Sequence, residues 1–271
     1  MSDPLRLGTV PYLNALPLVD GLAEAPGVEL VEEVPSRLLP RLRDGELDAA
    51  LVSAVELFRD PPLAWIPGGA ITSRGPVASI LLFVRGAVED IATLALDRSS
   101  LSAAAMTRVC LSGFLGVSEG DLTVSRCDPD LPLSAIDADA VLRIGDPALR
   151  TDPDGRAVLD LGDVWTAGTG LPFVYAAWLA RPDAPGARLA PLLDAARQRG
   201  LARRPELAHR FAADHGMDPE ACLSYLRERI GYRLGADEQA GLAAFGARAA
   251  ALGLVDRASL PDPLAGTAEP A

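Results

Sequence analysis

Two long apolar runs, 77–85 and 172–180, constrain this chain more than any other feature. Each is too continuously hydrophobic for a half-exposed strand and too short for a buried helix, so each reads as a strand covered on both faces. Between them lies a middle segment with its own alternation of strands and helices. Two such crossings predict an α/β protein of two lobes with a cleft between them. The expected division is a larger, discontinuous lobe of residues 1–85 with 177–271, ending in a helical C-terminal part, and a smaller lobe of residues 86–176. The approach to the second run, Val164 to Leu171, reads as a helix that ends at Gly168 to Gly170 and turns through Pro172.

The rest of the pattern fits that division. Leu5 to Val10 reads as a strand feeding a helix around residues 13–22, and Val28 to Val34 reads as a second strand. Ser36 caps a helix through Arg43 that stops at Gly45, and Ala49 to Val52 is a short buried strand. Ser53 stands at the entrance to a helix over Val55 to Arg59, and Pro61 to Gly75 reads as a Pro- and Gly-rich loop. In the middle segment, strands at 92–96, 122–126 and 140–144 surround a helix from Ser99 through Leu115. A helix over 160–167 leads to the strand 173–179, and everything beyond Arg188 reads as helical. Asp218-Pro219-Glu220 marks a helix start there. The tail from Leu260 reads as frayed.

Composition removes several functional classes. A net charge of −12 disfavours nucleic acid or an anionic membrane as the main partner. All 25 basic residues are arginine, so Schiff-base chemistry, pyridoxal phosphate anchoring and a P-loop lysine are absent. Cys110, Cys127 and Cys222 are odd in number and widely spaced, which fits neither a disulfide framework nor a zinc site. His209 and His215 are the only histidines, and both read as surface or helix-packing residues of the late Arg-rich region. No run approaches the roughly 18 apolar residues of a membrane span, and no basic, apolar leader opens the chain. A cytoplasmic location is the expectation. Oligomeric state is left open, a homodimer included.

In open α/β sheets, ligands bind beyond the carboxyl ends of the strands. The segments that fall there are Pro11 to Asn14, Ser53, Ser99 to Ser102, Gly145-Asp146 and Thr169-Gly170. Asp97-Arg98-Ser99-Ser100-Leu101-Ser102 is a hydroxyl-rich turn opening a helix. Its unpaired amides and serine hydroxyls suit a carboxylate, although Ser99 or Ser100 could equally serve as a helix cap. Asn14 is the only asparagine in the chain and can donate and accept at once, as a substrate hydroxyl requires, or it can form a turn. Asp146 is either an acid or base or the cap of a helix starting at Pro147. Tyr12, Trp165, Tyr175 and Trp178 read as core aromatics, with Tyr12 the one best placed to meet a ligand.

Five of these segments in register resemble the chorismate dehydratases of menaquinone biosynthesis. They are Val10-Pro11-Tyr12-Leu13-Asn14-Ala15-Leu16-Pro17-Leu18, Gly45 to Val52 before Ser53, Asp97-Arg98-Ser99-Ser100 before a helix, Gly145-Asp146-Pro147-Ala148-Leu149, and Trp165 through Trp178. The resemblance covers residues 5–180 and implies a fold similar to type II periplasmic binding proteins. The sister family, dihydroxynaphthoate synthase, shares that fold but begins with a Ser-Pro-Cys-Pro-Asn-type segment and uses a histidine base. This chain has no histidine before His209, so the dehydratase is favoured. The family's serine turn commonly continues Ser-Arg-Thr-Ser, whereas here it reads Ser100-Leu101-Ser102-Ala103. An arginine and a hydroxyl are missing, with Arg74 and Arg98 as candidate replacements.

The resemblance implies elimination of water from chorismate, a small dianion, to give 3-[(1-carboxyvinyl)oxy]benzoate on the futalosine route. Aromatisation drives that reaction, so no cofactor and no metal are expected. The implied catalytic set is Asn14 and Ser79, with Asp146 as a candidate base. The substrate-binding set is Tyr12, Ser53, Ser99, Ser100, Ser102, Gly145, Thr169 and Gly170. The rival expectation is a non-catalytic module of the same fold that binds a small anion.

Overall fold

A computed structural model describes residues 3–98 and 100–267. The first sheet is built from β1 (Leu5–Thr9), β2 (Val28–Glu32), β3 (Ala49–Ser53), β4 (Ala64–Ser73) and β10 (Phe173–Ala180), in the order β2-β1-β3-β10-β4. β1 pairs in parallel with both β2 and β3, and β10 runs antiparallel between β3 and β4. The second sheet contains β5 (Ile80–Val84), β6 (Thr93–Asp97), β7 (Thr123–Cys127), β8 (Ala140–Ile144) and β9 (Ala157–Asp160), ordered β7-β6-β8-β5-β9. Two lobes result, as the paired apolar runs predict.

The boundaries expected between them need correction. β5 pairs with β8 and β9, so the run at 80–84 belongs wholly to the second sheet and the chain crosses before it, not at 85. β10 lies in the first sheet from Phe173 onward, so the return crossing precedes 177. Both runs are buried because both sheets are covered on two faces, and a run's apolarity does not say which sheet it joins.

Nine α-helices cover the sheets among the described residues: α1 (Leu16–Val19), α2 (Pro35–Arg43), α3 (Leu101–Phe114), α4 (Gly145–Arg150), α5 (Leu161–Thr169), α6 (Gly186–Ala202), α7 (Arg204–His215), α8 (Pro219–Ser224) and α9 (Ala236–Ala251). The start signal at Asp218 is realised, its carboxylate accepting from the amides of Glu220 and Ala221. Ser36 does not cap α2. Val34 occupies the cap position and Pro35 opens the helix, where its missing N–H costs nothing. The expected helix at 13–22 is a 3₁₀ turn at Leu13–Ala15 followed by the single turn α1. The stretch 61–75 is not a loop, because it carries the ten-residue strand β4.

α3 belongs by sequence to the second lobe, yet it packs on α9 and on the 3₁₀ turn Ala54–Phe58 of the first. The Trp165 ring of α5 meets Phe114, Phe173 and Phe245 edge-on, at centroid distances of 6.1, 5.2 and 6.2 Å. Each such pair adds roughly 0.5–1.5 kcal/mol beyond its buried area. The cluster ties α3, α5, β10 and α9 together.

The crossing into the second sheet is held by one carboxylate. Asp160 caps α5 through the amides of Gly162 and Asp163, and it also accepts from Val77 N at 3.0 Å and Ala78 N at 2.7 Å. Ala78 has a left-handed backbone, φ 64°, which an L residue adopts only when its surroundings impose it. The tail is not frayed through its described part: Leu264 N donates to Trp65 O and Trp65 Nε1 donates to Pro261 O, at 2.8 and 2.9 Å. No described helix is long and apolar enough to cross a membrane.

Candidate active site

The carboxyl ends of β1, β3 and β8, the start of α3 and the crossing segment 77–80 converge on a cavity of about 220 Å³. Its wall is largely apolar, formed by Val10, Leu51, Val52, Ile71, Val77, Ile80, Ile144 and Ile230. Polar groups enter from several directions: Tyr12 and Asn14 after β1, Ser53 at the end of β3, Ser79 from the crossing, Ser100 before α3, Gly145 and Asp146 at the start of α4, and Tyr175 from β10. A largely apolar cavity with a few converging polar groups is the usual form of a small-molecule site.

Of the residues singled out in the sequence, Tyr12, Asn14, Ser53, Ser79, Ser100, Gly145 and Asp146 all line this cavity. Three others do not. Ser102 is fully buried in α3, and its hydroxyl accepts the Val55 amide at 3.1 Å, fastening one lobe to the other. The Thr169 hydroxyl donates to Trp165 O and accepts from Leu171 N, so it closes the end of α5. Gly170 supplies the left-handed cap of that helix at φ 71°. These three hold the frame. Ser99 lies outside the described residues.

Arg74, a candidate for the missing arginine, is engaged elsewhere: it donates to Gly170 O and pairs with Asp237. Arg98 does not line the cavity either. No arginine or histidine is among the described residues that do. His209 sits on α7 with its Nδ1 at Pro205 O, and His215 stacks on Phe211. The three cysteines are free and buried.

The central polar feature is a hydrogen-bond chain. Asn14 Nδ2 donates to the Tyr225 hydroxyl at 3.3 Å, and that hydroxyl donates to Ser79 Oγ at 2.8 Å. The Ser79 carbonyl then accepts the Gly145 amide at 2.7 Å, which brings the start of α4 against the crossing segment. Asn14 Oδ1 is buried and accepts no hydrogen bond within the protein. Tyr225 escaped the sequence reading because it sits far along the chain, on a π-helical turn (Tyr225–Arg229) in a region that reads as plain helix. π-turns frequently mark functional sites, but a single sequence does not reveal them.

Burial sets the electrostatics. It pushes the Tyr225 hydroxyl up to about 12, outweighing its hydrogen bonds to Ser79 and Asn14, so it stays a neutral phenol. Tyr12 is also raised, first by burial and then by the charges of Asp97 and Asp146. Asp146 is raised above the ordinary carboxylate value by burial, opposed by the charges of Arg150 and His215. Ser100 caps α3 by accepting from Ala103 N at 3.2 Å, whereas Ser53 caps nothing at the turn after it.

Two mixed sheets, two crossings and a cavity at the strand ends define a binding-protein-like, two-lobed α/β class. The periplasmic aliphatic sulphonate binding protein SsuA from Escherichia coli matches 100% of this chain and 95% of its own at TM-score 0.66 and 19% identity. A protein from Archaeoglobus fulgidus matches 93% of this chain and 98% of its own at TM-score 0.75 and 16% identity. At such identities the likeness is one of fold. Sequence goes further: the chain belongs to the menaquinone biosynthesis family, whose model matches residues 5–251. A Thermus thermophilus protein named chorismate dehydratase is 31% identical over 270 residues, spanning 93% of this chain and 96% of its own.

Proposed function

We propose that this protein is an enzyme, a hydro-lyase that removes water from chorismate to give 3-[(1-carboxyvinyl)oxy]benzoate. The observation that carries this reading is the 31% identity to a chorismate dehydratase along nearly the whole of both chains. The cavity supports it chemically. Chorismate as a dianion has one strong hydrogen-bond donor, its ring hydroxyl, and Asn14 Oδ1 is a buried acceptor awaiting one.

In the proposed reaction, the proton lost sits on the carbon bearing the enolpyruvyl ether, vinylogous to the ring carboxylate. Removing it gives a dienolate, whose charge the hydroxyls of Ser53 and Ser100 would stabilise. The carbon–oxygen bond to the ring hydroxyl then breaks, and hydroxide leaves as water once it gains a proton. Asn14 positions that hydroxyl and Ser79 assists its departure. The substrate's own enolpyruvyl carboxylate takes the proton in this reading, and Asp146, the only carboxyl group among the described lining residues, is the alternative base. Tyr12, Ser53, Ser100 and Gly145 complete the binding surface. The protein acts in the cytoplasm on this small molecule.

Purified protein incubated with chorismate should yield a product lighter by one water, followed by mass and ultraviolet absorbance. Chorismate recovered unchanged from a tight complex would instead assign a binding module.

A further inference from the structure

Tyr225 does not line the cavity, yet among the described residues it is the one side chain hydrogen-bonded to both Asn14 and Ser79. Resting on the dehydratase reading, we infer that Tyr225 is the positioning residue that sets which way both of these side chains present their hydrogen-bonding atoms to the substrate. Its single hydroxyl hydrogen is committed to Ser79 Oγ at 2.8 Å. The same oxygen can therefore only accept from Asn14, which forces Nδ2 of that amide toward the tyrosine at 3.3 Å.

Two consequences follow from donor and acceptor counting. With Nδ2 turned to Tyr225, the acceptor Oδ1 is the atom left for the substrate hydroxyl, and it is the atom with no protein partner. With Ser79 Oγ already accepting, the serine's own hydrogen is directed away from Tyr225, as a donor to the departing oxygen. The phenol keeps this polarity across the working pH range, because burial holds it neutral. Its placement also joins three remote stretches of chain. Asn14 follows β1 of the first lobe, Tyr225 lies in the C-terminal helical part, and Ser79 lies on the crossing into the second sheet, where its carbonyl receives Gly145 N at 2.7 Å.

The test is Tyr225→Phe, which removes one oxygen and keeps the ring. The variant should lose about 10- to 100-fold in kcat with KM held within about threefold, since orientation of the reacting groups is lost and the cavity wall is not. A double-mutant cycle supplies the readout that simple destabilisation would not move. In a Ser79→Ala background, Tyr225→Phe should cost much less than in the native protein, because part of its action runs through Ser79. Unchanged kcat, a loss confined to KM, or penalties that multiply independently would overturn the inference. Should Tyr225→Phe fail to fold, 3-fluorotyrosine at this position keeps ring and hydroxyl but makes the phenol a stronger donor and weaker acceptor. It must then shift kcat, and an unchanged kcat overturns the inference. The native protein is assayed alongside: if it leaves chorismate unchanged, the dehydratase reading has failed, not the role of Tyr225.

Discussion

Replacing Asp160 by alanine should weaken the whole molecule and misplace Ser79. The carboxylate accepts four amides: Val77 at 3.0 Å, Ala78 at 2.7 Å, Gly162 at 2.9 Å and Asp163 at 3.3 Å. The two bonds within α5 are a helix cap, worth about 1 kcal/mol. The two to the crossing segment contribute about 1 kcal/mol each, because Val77 is buried and its amide has no ready access to water. The sum is about 3 kcal/mol, equivalent to about 6–12 °C in Tm for a chain of this size. Asp160→Asn should lose roughly half as much, since one carbonyl oxygen remains as acceptor. Urea unfolding followed by circular dichroism measures both. Because Ala78 directly precedes Ser79, kcat should also fall at temperatures where Asp160→Ala is still folded. A loss of less than about 1 kcal/mol would refute the assignment of this carboxylate as the clamp between the lobes.

Three further outcomes are expected. Asn14→Ala should lower kcat by about 100-fold, with its melting temperature little changed, as measured by initial rates and calorimetry. Gly145→Ala should cost about 1–2 kcal/mol in urea unfolding, because φ is 63° there, although an added Cβ would meet only Pro147 Cδ at 3.9 Å. Asp146 is raised by burial, so its contribution to stability is full below its unfolded pKa, near the ordinary aspartate value of 3.8, and is lost as pH rises through the higher folded value. Asp146→Asn should therefore gain stability relative to the native protein as pH rises above about 4, read from urea midpoints. The same variant should keep kcat within about tenfold, whereas loss of a true base would cost about 100-fold or more.

Legibility in the sequence followed the physics of each element. β8 was readable to the residue because the apolar Ala140, Val141, Leu142 and Ile144, interrupted only by Arg143, run up to a glycine. β4 was hidden by Pro67-Gly68-Gly69, which signal a turn in one dimension. In the fold, Gly69 lets Leu18 come close: a Cβ there would stand 3.1 Å from its side chain. β9 is short and half-exposed, and its apolar run, Ala157-Val158-Leu159, is too brief to announce it. The cavity residues that were legible share one trait, which is that each follows directly on a strand end or lies on a crossing. Thr169 and Gly170 also sit at a junction, but their groups are consumed in ending α5, and junction chemistry alone does not separate a cap from a ligand. Tyr225 shows the opposite limit, since a long-range hydrogen bond to Asn14 leaves no periodicity to read.

The central claim, that this cavity dehydrates chorismate, is tested most directly by proton NMR of chorismate with the native, metal-free protein. Loss of the two sp³ ring protons, with appearance of the aromatic pattern of a 3-substituted benzoate and retention of the enolpyruvyl methylene, is the predicted result. Chorismate signals that broaden on binding but persist unchanged through many hours would contradict it.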